Sequence, residues 1–456
     1  MLTFVQNFWW YLVLIGVMIL VHELGHYWAA RFFDVKVDTF SFGFGPRLFG
    51  FRRGETDFRF SAILFGGYVK MAGDYVNTGS EQSAEESAAD PRSLYAKPRW
   101  QRMIIAFAGP AINIILAIAL LTGLFMVRYP KVPSPTDPKV GFVTADGAAA
   151  KAGIKEGDQV VQIDSKSDPT WEDIVYKEIG SARKPVEVSV LRNAERLHFT
   201  MTPVYDERLG VGYAGWGQET DVEVAAVVDG MDAQKVGIRP GDILISANGQ
   251  PLRSTSKLHD LINDGNGEAV DLVYARRSDA GKGMPVAEER LHAMVKPTLK
   301  ETDGQKHWMI GVQLEPRLEV IALPLPEAFT ESLKQNSQSA KLIFRFLEGI
   351  VERRMSPKSL EGPIRIAQFA GEAAREGPAT FFGLMAAVSL NLAVFNLLPV
   401  PILDGGVMLL LLVEMLLRRD LDLRVREAVV RVGFVFLMMV VVFVLYNDIS
   451  KILPPG

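Results

Sequence analysis

Three long stretches of this 456-residue chain carry no charged side chain: residues 1–21, 103–127 and 378–403. A fourth run, Val432 to Tyr446, is shorter and borrows length from its flanks. A helix of about 20 apolar residues crosses the hydrocarbon core of a bilayer with its backbone polar groups paired within itself. The chain therefore reads as a multi-pass α-helical membrane protein with four transmembrane helices, at 1–30, 102–127, 378–416 and 425–447. Cleaved signal peptides carry a basic leading region, whereas the first Lys or Arg here is Arg31, so the first run reads as a retained span.

Basic residues orient the spans. Arg31, Lys36, Arg47, Arg52, Arg53, Arg59 and Lys70 lie between the first two runs, and Arg418, Arg419, Arg424 and Arg426 precede the fourth. Both segments should face the cytoplasm, and the long segment between the second and third spans should face away from it. The net charge of −4 argues against a nucleic-acid partner. Cysteine is absent, so any metal must be held by His, carboxylate and water.

The long segment contains a repeat. Ala152-Gly153-Ile154-Lys155-Glu156-Gly157-Asp158 returns as Val236-Gly237-Ile238-Arg239-Pro240-Gly241-Asp242, each followed by an apolar strand. This pattern resembles PDZ domains, which implies two tandem α+β PDZ domains at 138–205 and 218–300. Whether their grooves bind peptide ligands or act only as steric gates stays open at this point.

Between the first two spans, within 31–101, Asp57 to Phe65 reads as a strand ending in a turn at Gly66-Gly67. Phe42 to Pro46 is its expected partner in a membrane-associated β-hairpin. Residues 74–89 are acidic and rich in Ser and Ala, as mobile loops are. Residues 318–377 show helical periodicity and read as amphipathic juxtamembrane helices lying at the membrane surface.

The feature that carries chemistry is His22-Glu23-Leu24-Gly25-His26, at the cytoplasmic end of the first span. On a helix, residues i and i+4 share a face, so both imidazoles can reach one Zn²⁺ with Glu23 beside it as general base. Only 6 histidines occur in the chain, and the other four fall in the long segment on the opposite side of the membrane. The third protein ligand must then be a carboxylate, with Asp404 and Glu414 as candidates. Asp404 follows Pro399 and Pro401 and precedes Gly405-Gly406, a sequence that breaks a helix and lets the backbone bend toward a cleft. Glu414 lies four residues before Arg418, where a helix-end ion pair accounts for it. Asp404 is the favoured ligand.

His-Glu-x-x-His in the first span, Leu403-Asp404-Gly405 in a late span, a PDZ pair between them and Gly109-x-x-x-Asn113 in the second span together resemble the site-2 protease family over nearly the whole chain. The resemblance implies a zinc metalloendopeptidase of regulated intramembrane proteolysis in the bacterial inner (cytoplasmic) membrane, with its active site toward the cytoplasm and its PDZ domains in the periplasm. It implies zinc on His22, His26 and Asp404, water activation by Glu23, and substrate contacts at Asn396, Pro399, Gly66 and Gly67. Implied partners are the lipid bilayer and single-pass membrane protein substrates, of anti-sigma-factor type or remnant signal peptides. Asn113 and Asn391 also have the ordinary reading of amides bonding across membrane helices.

Two other classes fit parts of the pattern. One is a PDZ-bearing scaffold with a structural metal, which has no need of Glu23. The other is a metal transporter, which calls for paired membrane repeats that the sequence lacks.

Overall fold

The computed structural model describes residues 2–73, 90–127, 129–131, 138–206, 210–277, 288–302, 305–316 and 319–452. The acidic stretch 74–89 lies outside them. The chain divides into two compact units, one of residues 1–129, 322–344 and 360–456, the other of residues 130–321 and 345–359.

Helix α1 (Leu2–Phe32) leads into strands β1 (Val37–Arg53) and β2 (Thr56–Met71), followed by helix α2 (Arg99–Met126). The later helices are α3 (Leu325–Val351), α4 (Pro363–Glu376), α5 (Pro378–Asn396), α6 (Asp404–Leu417) and α7 (Leu423–Ile452). Among the described residues, four helical stretches are long and apolar enough to cross a membrane: Val5–Phe32, Arg99–Met126, Pro378–Asn396 and Arg424–Lys451. The third run is not one helix. Pro399 and Pro401 supply no N–H, Ile402 adopts a φ of +85°, and the chain restarts as α6 only at Asp404.

Two differences from the sequence reading concern this first unit. The strand through Asp57 does not end at Gly66-Gly67: the first reversal is at Gly54-Glu55, and β2 continues through both glycines to Met71. Gly66 takes a φ of +114° where β2 doubles back: Asp57 to Phe60 run beside Thr39 to Phe42 in the same direction, and Gly67 to Lys70 in the opposite one. Both strands bend, and Phe40 pairs with Phe58 on one side and Val69 on the other, which folds the hairpin into a four-ply sheet. The second difference is α4. It does not lie apart as a surface linker but packs Ala370 and Ala373 into a core with Tyr11, Leu14, Met18, Phe381 and Met385.

In the second unit the first repeat forms a four-stranded sheet in the order Lys166–Ser167, Gln159–Ile163, Val186–Arg192, Glu195–Met201, with the helix Trp171–Ile179 beside it. The second repeat builds a sheet in the order Glu288–Val295, Val270–Arg277, Ile243–Ala247, Val222–Val227, Val312–Pro316, with the helix Thr255–Asp264. Each repeat closes over its own apolar core, centred on Val160, Ile174 and Val188 in one and on Leu244, Leu258 and Leu272 in the other.

Candidate metal centre

The site assembles within the first unit from α1, α2 and the start of α6. Helices α1 and α2 meet backbone to backbone. A Cβ on Gly25 would fall 2.3 Å from the carbonyl oxygen of Ala108, and one on Gly109 would fall 2.3 Å from His26 Nε2. Small residues permit such close approach, which in a membrane replaces hydrophobic driving force with direct contact.

His22 and His26 turn their Nε2 atoms toward each other at 3.3 Å. Asp404 completes the group, with Oδ2 3.2 Å from His22 Nε2 and Oδ1 3.4 Å from His26 Nε2. The proton inventory explains why these atoms converge. His26 Nδ1–H donates to the carbonyl of Ile105 at 2.8 Å, so the neutral ring presents a bare Nε2 lone pair. Pro110 supplies no N–H to the carbonyl of Ala106, which loosens the α2 ladder at the turn where His26 docks.

His22 is held in the same way. Asn113 Nδ2 lies 3.3 Å from its Nδ1, and among the described residues the buried Asn113 Oδ1 has no hydrogen-bond partner. With that amide turned so that Oδ1 faces the ring, His22 Nδ1–H donates to Asn113 and Nε2 is again bare.

With both Nδ1 atoms carrying the ring protons, the two Nε2 atoms and the Asp404 carboxylate are acceptors 3.2–3.4 Å apart, an arrangement that a metal ion among them would stabilise. Tetrahedral zinc with bonds of about 2.0–2.1 Å places its ligands roughly 3.3 Å apart, so the donor set and its spacing fit zinc. Asp404 is also the first residue of α6, where the helix dipole favours a negative charge.

The other residues named from sequence fall at different distances from this centre. Glu23 lies one residue from His22, and the Val69 backbone N–H points toward its carboxylate. A Cβ on Gly67 would come within 3.1 Å of Glu23 Cγ, so β2 runs directly past the carboxylate, while Gly66 packs on the Phe44 ring. The Asn396 amide reaches to 3.4 Å from His22 Nε2. Pro399 is exposed on the break between α5 and α6, and Asn391 is exposed on α5.

Glu414 is 1% exposed and is paired with Arg426 and Arg102 rather than with Arg418. Helix α6 ends at Leu417 and Arg418 takes a left-handed φ of +55°, which cancels the i,i+4 geometry assumed for that pair. The carbonyl of Ile105 escaped sequence reasoning entirely, since a main-chain acceptor has no signature. The close approach at Gly25 escaped it too, although a glycine between two candidate ligand histidines was a visible signal.

The model of peptidase family M50 matches residues 10–440. A chain from Xylella fastidiosa (strain Temecula1) named as a zinc metalloprotease is 30% identical over 98% of this chain and 99% of its own length. The regulator of sigma-E protease RseP of Salmonella typhimurium (strain 14028s) is 29% identical over 99% of this chain and 100% of its own, and that of Escherichia coli (strain K12) is 28% identical over the same shares. Fold and site thus define a peptidase with helices able to span a membrane. The chain belongs to peptidase family M50, the site-2 protease family.

Proposed function

We propose that this protein is a zinc metalloendopeptidase that hydrolyses peptide bonds in the transmembrane segments of other proteins. The observation that carries the reading is the convergence of His22 Nε2, His26 Nε2 and the Asp404 carboxylate at tetrahedral spacing, between apolar helices and beside Glu23. Zinc held there would polarise the scissile carbonyl and lower the pKa of an attacking water to about 7. Glu23 takes the proton from that water and returns it to the leaving amine nitrogen. Asn396, at the rim beside His22, and Pro399 orient the substrate chain.

A helical peptide bond is shielded by its own hydrogen bonds, so a membrane substrate must unwind before it is cut. In this reading β2 receives the unwound segment as an added strand at Gly66-Gly67, alongside Glu23. The two repeats of the second unit act as a tandem PDZ pair in the periplasm that holds back substrates with bulky ectodomains, and the active site faces the cytoplasm. The relatives named for sigma-E regulation and the resemblance stated above make an anti-sigma factor in regulated intramembrane proteolysis the leading substrate class, with remnant signal peptides second.

The test compares cleavage of a model transmembrane peptide by wild type, by Glu23→Gln and by wild type with a zinc chelator, with bound metal measured in each. Glu23→Gln should keep about one zinc per chain and lose cleavage. Persistent cleavage in that variant, or a wild type without metal, would overturn the assignment and favour a scaffold with a structural site.

A further inference from the structure

Asp404 arrives at the site on α6, a helix whose seven residues from Val407 to Val413 are all apolar. In a bilayer such a face has no preferred partner, because lipid tails are as apolar as leucine, so packing alone fixes its register weakly. Its far end is built differently. Glu414, ten residues on and roughly 15 Å along the helix, is buried among charges.

Its Oε1 accepts from Arg426 and from the backbone N–H of Leu421 at 3.2 Å, and its Oε2 lies 3.7 Å from Arg102 Nη2. Arg102 is 6% exposed, donates to Asp420 Oδ1 at 3.1 Å and stacks over the Tyr95 ring at 5.2 Å. Arg426 stacks over the same ring at 4.9 Å.

The significance lies in α2. Arg102, Ile105, Gly109 and Asn113 recur at spacings of three and four and so share one face. Ile105 orients His26, Gly109 makes room for both imidazoles, Asn113 orients His22, and Arg102 meets Glu414. One helix face is thus the common reference for the histidines and for the helix carrying the third ligand. A buried ion pair adds little net stability over an apolar pair of the same size, but in some proteins such a buried polar contact specifies register. A slip of α6 by one turn would carry Asp404 about 5.4 Å along the axis, far outside metal-ligand tolerance.

We propose that Glu414, through Arg102 and Arg426, is a positioning residue that sets the register of α6 on α2 and thereby holds Asp404 in place for zinc. The proposal rests on the zinc-protease reading above. Glu414→Leu in the full-length protein should lose zinc to a chelator at least about tenfold faster and lose kcat by a similar factor, with KM for a model transmembrane peptide nearly unchanged. Glu414→Gln, which keeps an acceptor, should fall between that variant and wild type.

Because Glu414→Leu strands two arginines, the triple variant Glu414→Leu/Arg102→Leu/Arg426→Leu is measured beside it. It should fold and still show the fast zinc loss. Register is read without zinc by pairing Ala106→Cys with a cysteine placed in turn at Met408 to Leu412, since the chain has no cysteine of its own. One crosslinking maximum in wild type should spread or shift when Glu414 is leucine. A triple variant that keeps wild-type zinc retention, kcat and crosslinking overturns the proposal. A wild type that binds no zinc overturns the protease reading instead, and the crosslinking pattern alone then decides the register claim.

Discussion

The repeats of the second unit and the Asp404 cluster of the first bury carboxylates in opposite ways. In the second unit the repeat places Asp158 and Asp242, each 1% exposed, at an offset of 84 residues, and the same offset places Arg192 and Arg276 against them (158 to 242, 192 to 276). Arg192 donates to the two Asp158 oxygens at 2.6 and 2.7 Å and to the carbonyl of Gly153 at 2.7 Å. Arg276 does the same to Asp242 at 2.8 and 2.8 Å and to Gly237 at 2.7 Å. Charge and hydrogen bonds are complete within the chain. Around Asp404 the described partners are two imidazoles, themselves held by a backbone carbonyl and amides, with no Lys or Arg. Burial of a carboxylate therefore does not mark function. What sets the Asp404 cluster apart is that its described partners are imidazoles, which can share a metal ion, with no Lys or Arg among them.

The strongest challenge to that contrast is Glu23→Gln, for which a loss of about 10³ in kcat with zinc retained is expected from removal of the general base. Peptide cleavage at unchanged metal content measures it, and an active variant would make the polar cluster of the first unit as structural as the repeat pairs. Next, Arg192→Met should strand Asp158 and cost roughly 3 kcal/mol by urea unfolding of the full chain in detergent, with zinc content unaffected. Adding Asp158→Leu should recover most of it. A single variant as stable as wild type would show that the repeat pairs are not required.

Glu178 sharpens the comparison, because it belongs to the structural unit yet lacks a cation among its described partners. It is 6% exposed and accepts from the Ala214 N–H at 2.5 Å and from Trp216 Nε1 at 2.8 Å. The 84-residue offset puts Ile262, also buried, in its place in the second repeat. Burial pushes the Glu178 carboxyl up to about 7, against the pull of those two donors. The unfolded chain ionises near 4.5, whereas the folded chain keeps the proton to about 7. Stability of this unit should thus fall by roughly 3 kcal/mol as pH rises through that window and stay level above it. Glu178→Gln should flatten the profile, read as unfolding midpoints at a series of pH values. An unchanged slope would mean that the two donors outweigh burial.

The smallest effect expected at the candidate metal centre is that of Asn113→Ala, which removes the amide beside His22 Nδ1. Zinc affinity should fall about tenfold in chelator competition, with the fold intact. No change would demote Asn113 to an ordinary cross-helix amide like those its sequence context suggests.

The sequence by itself determined whatever depends on spacing along the chain. Uncharged runs long enough to span a bilayer, two imidazoles at i and i+4 around a glutamate, and a repeated Gly-Ile-x-x-Gly-Asp are all local patterns, and local patterns survive without knowledge of contacts. The helix break before Asp404 was legible for the same reason, since proline lacks an N–H wherever it stands. Contacts between distant segments were decided only in three dimensions. Gly54-Glu55 closes the hairpin and β2 doubles back again before Gly67, a second fold that only the pairing of Phe42 with both Phe60 and Gly67 reveals. Glu414 chose Arg426 and Arg102 over nearby Arg418 because α6 stops before that arginine can point back. The meeting of Gly25 with Ala108, the Ile105 carbonyl beneath His26, and the contact of one α2 face with His22, His26 and Glu414 arise from helix packing, where the partner of each residue is set by another helix and not by its neighbours in sequence.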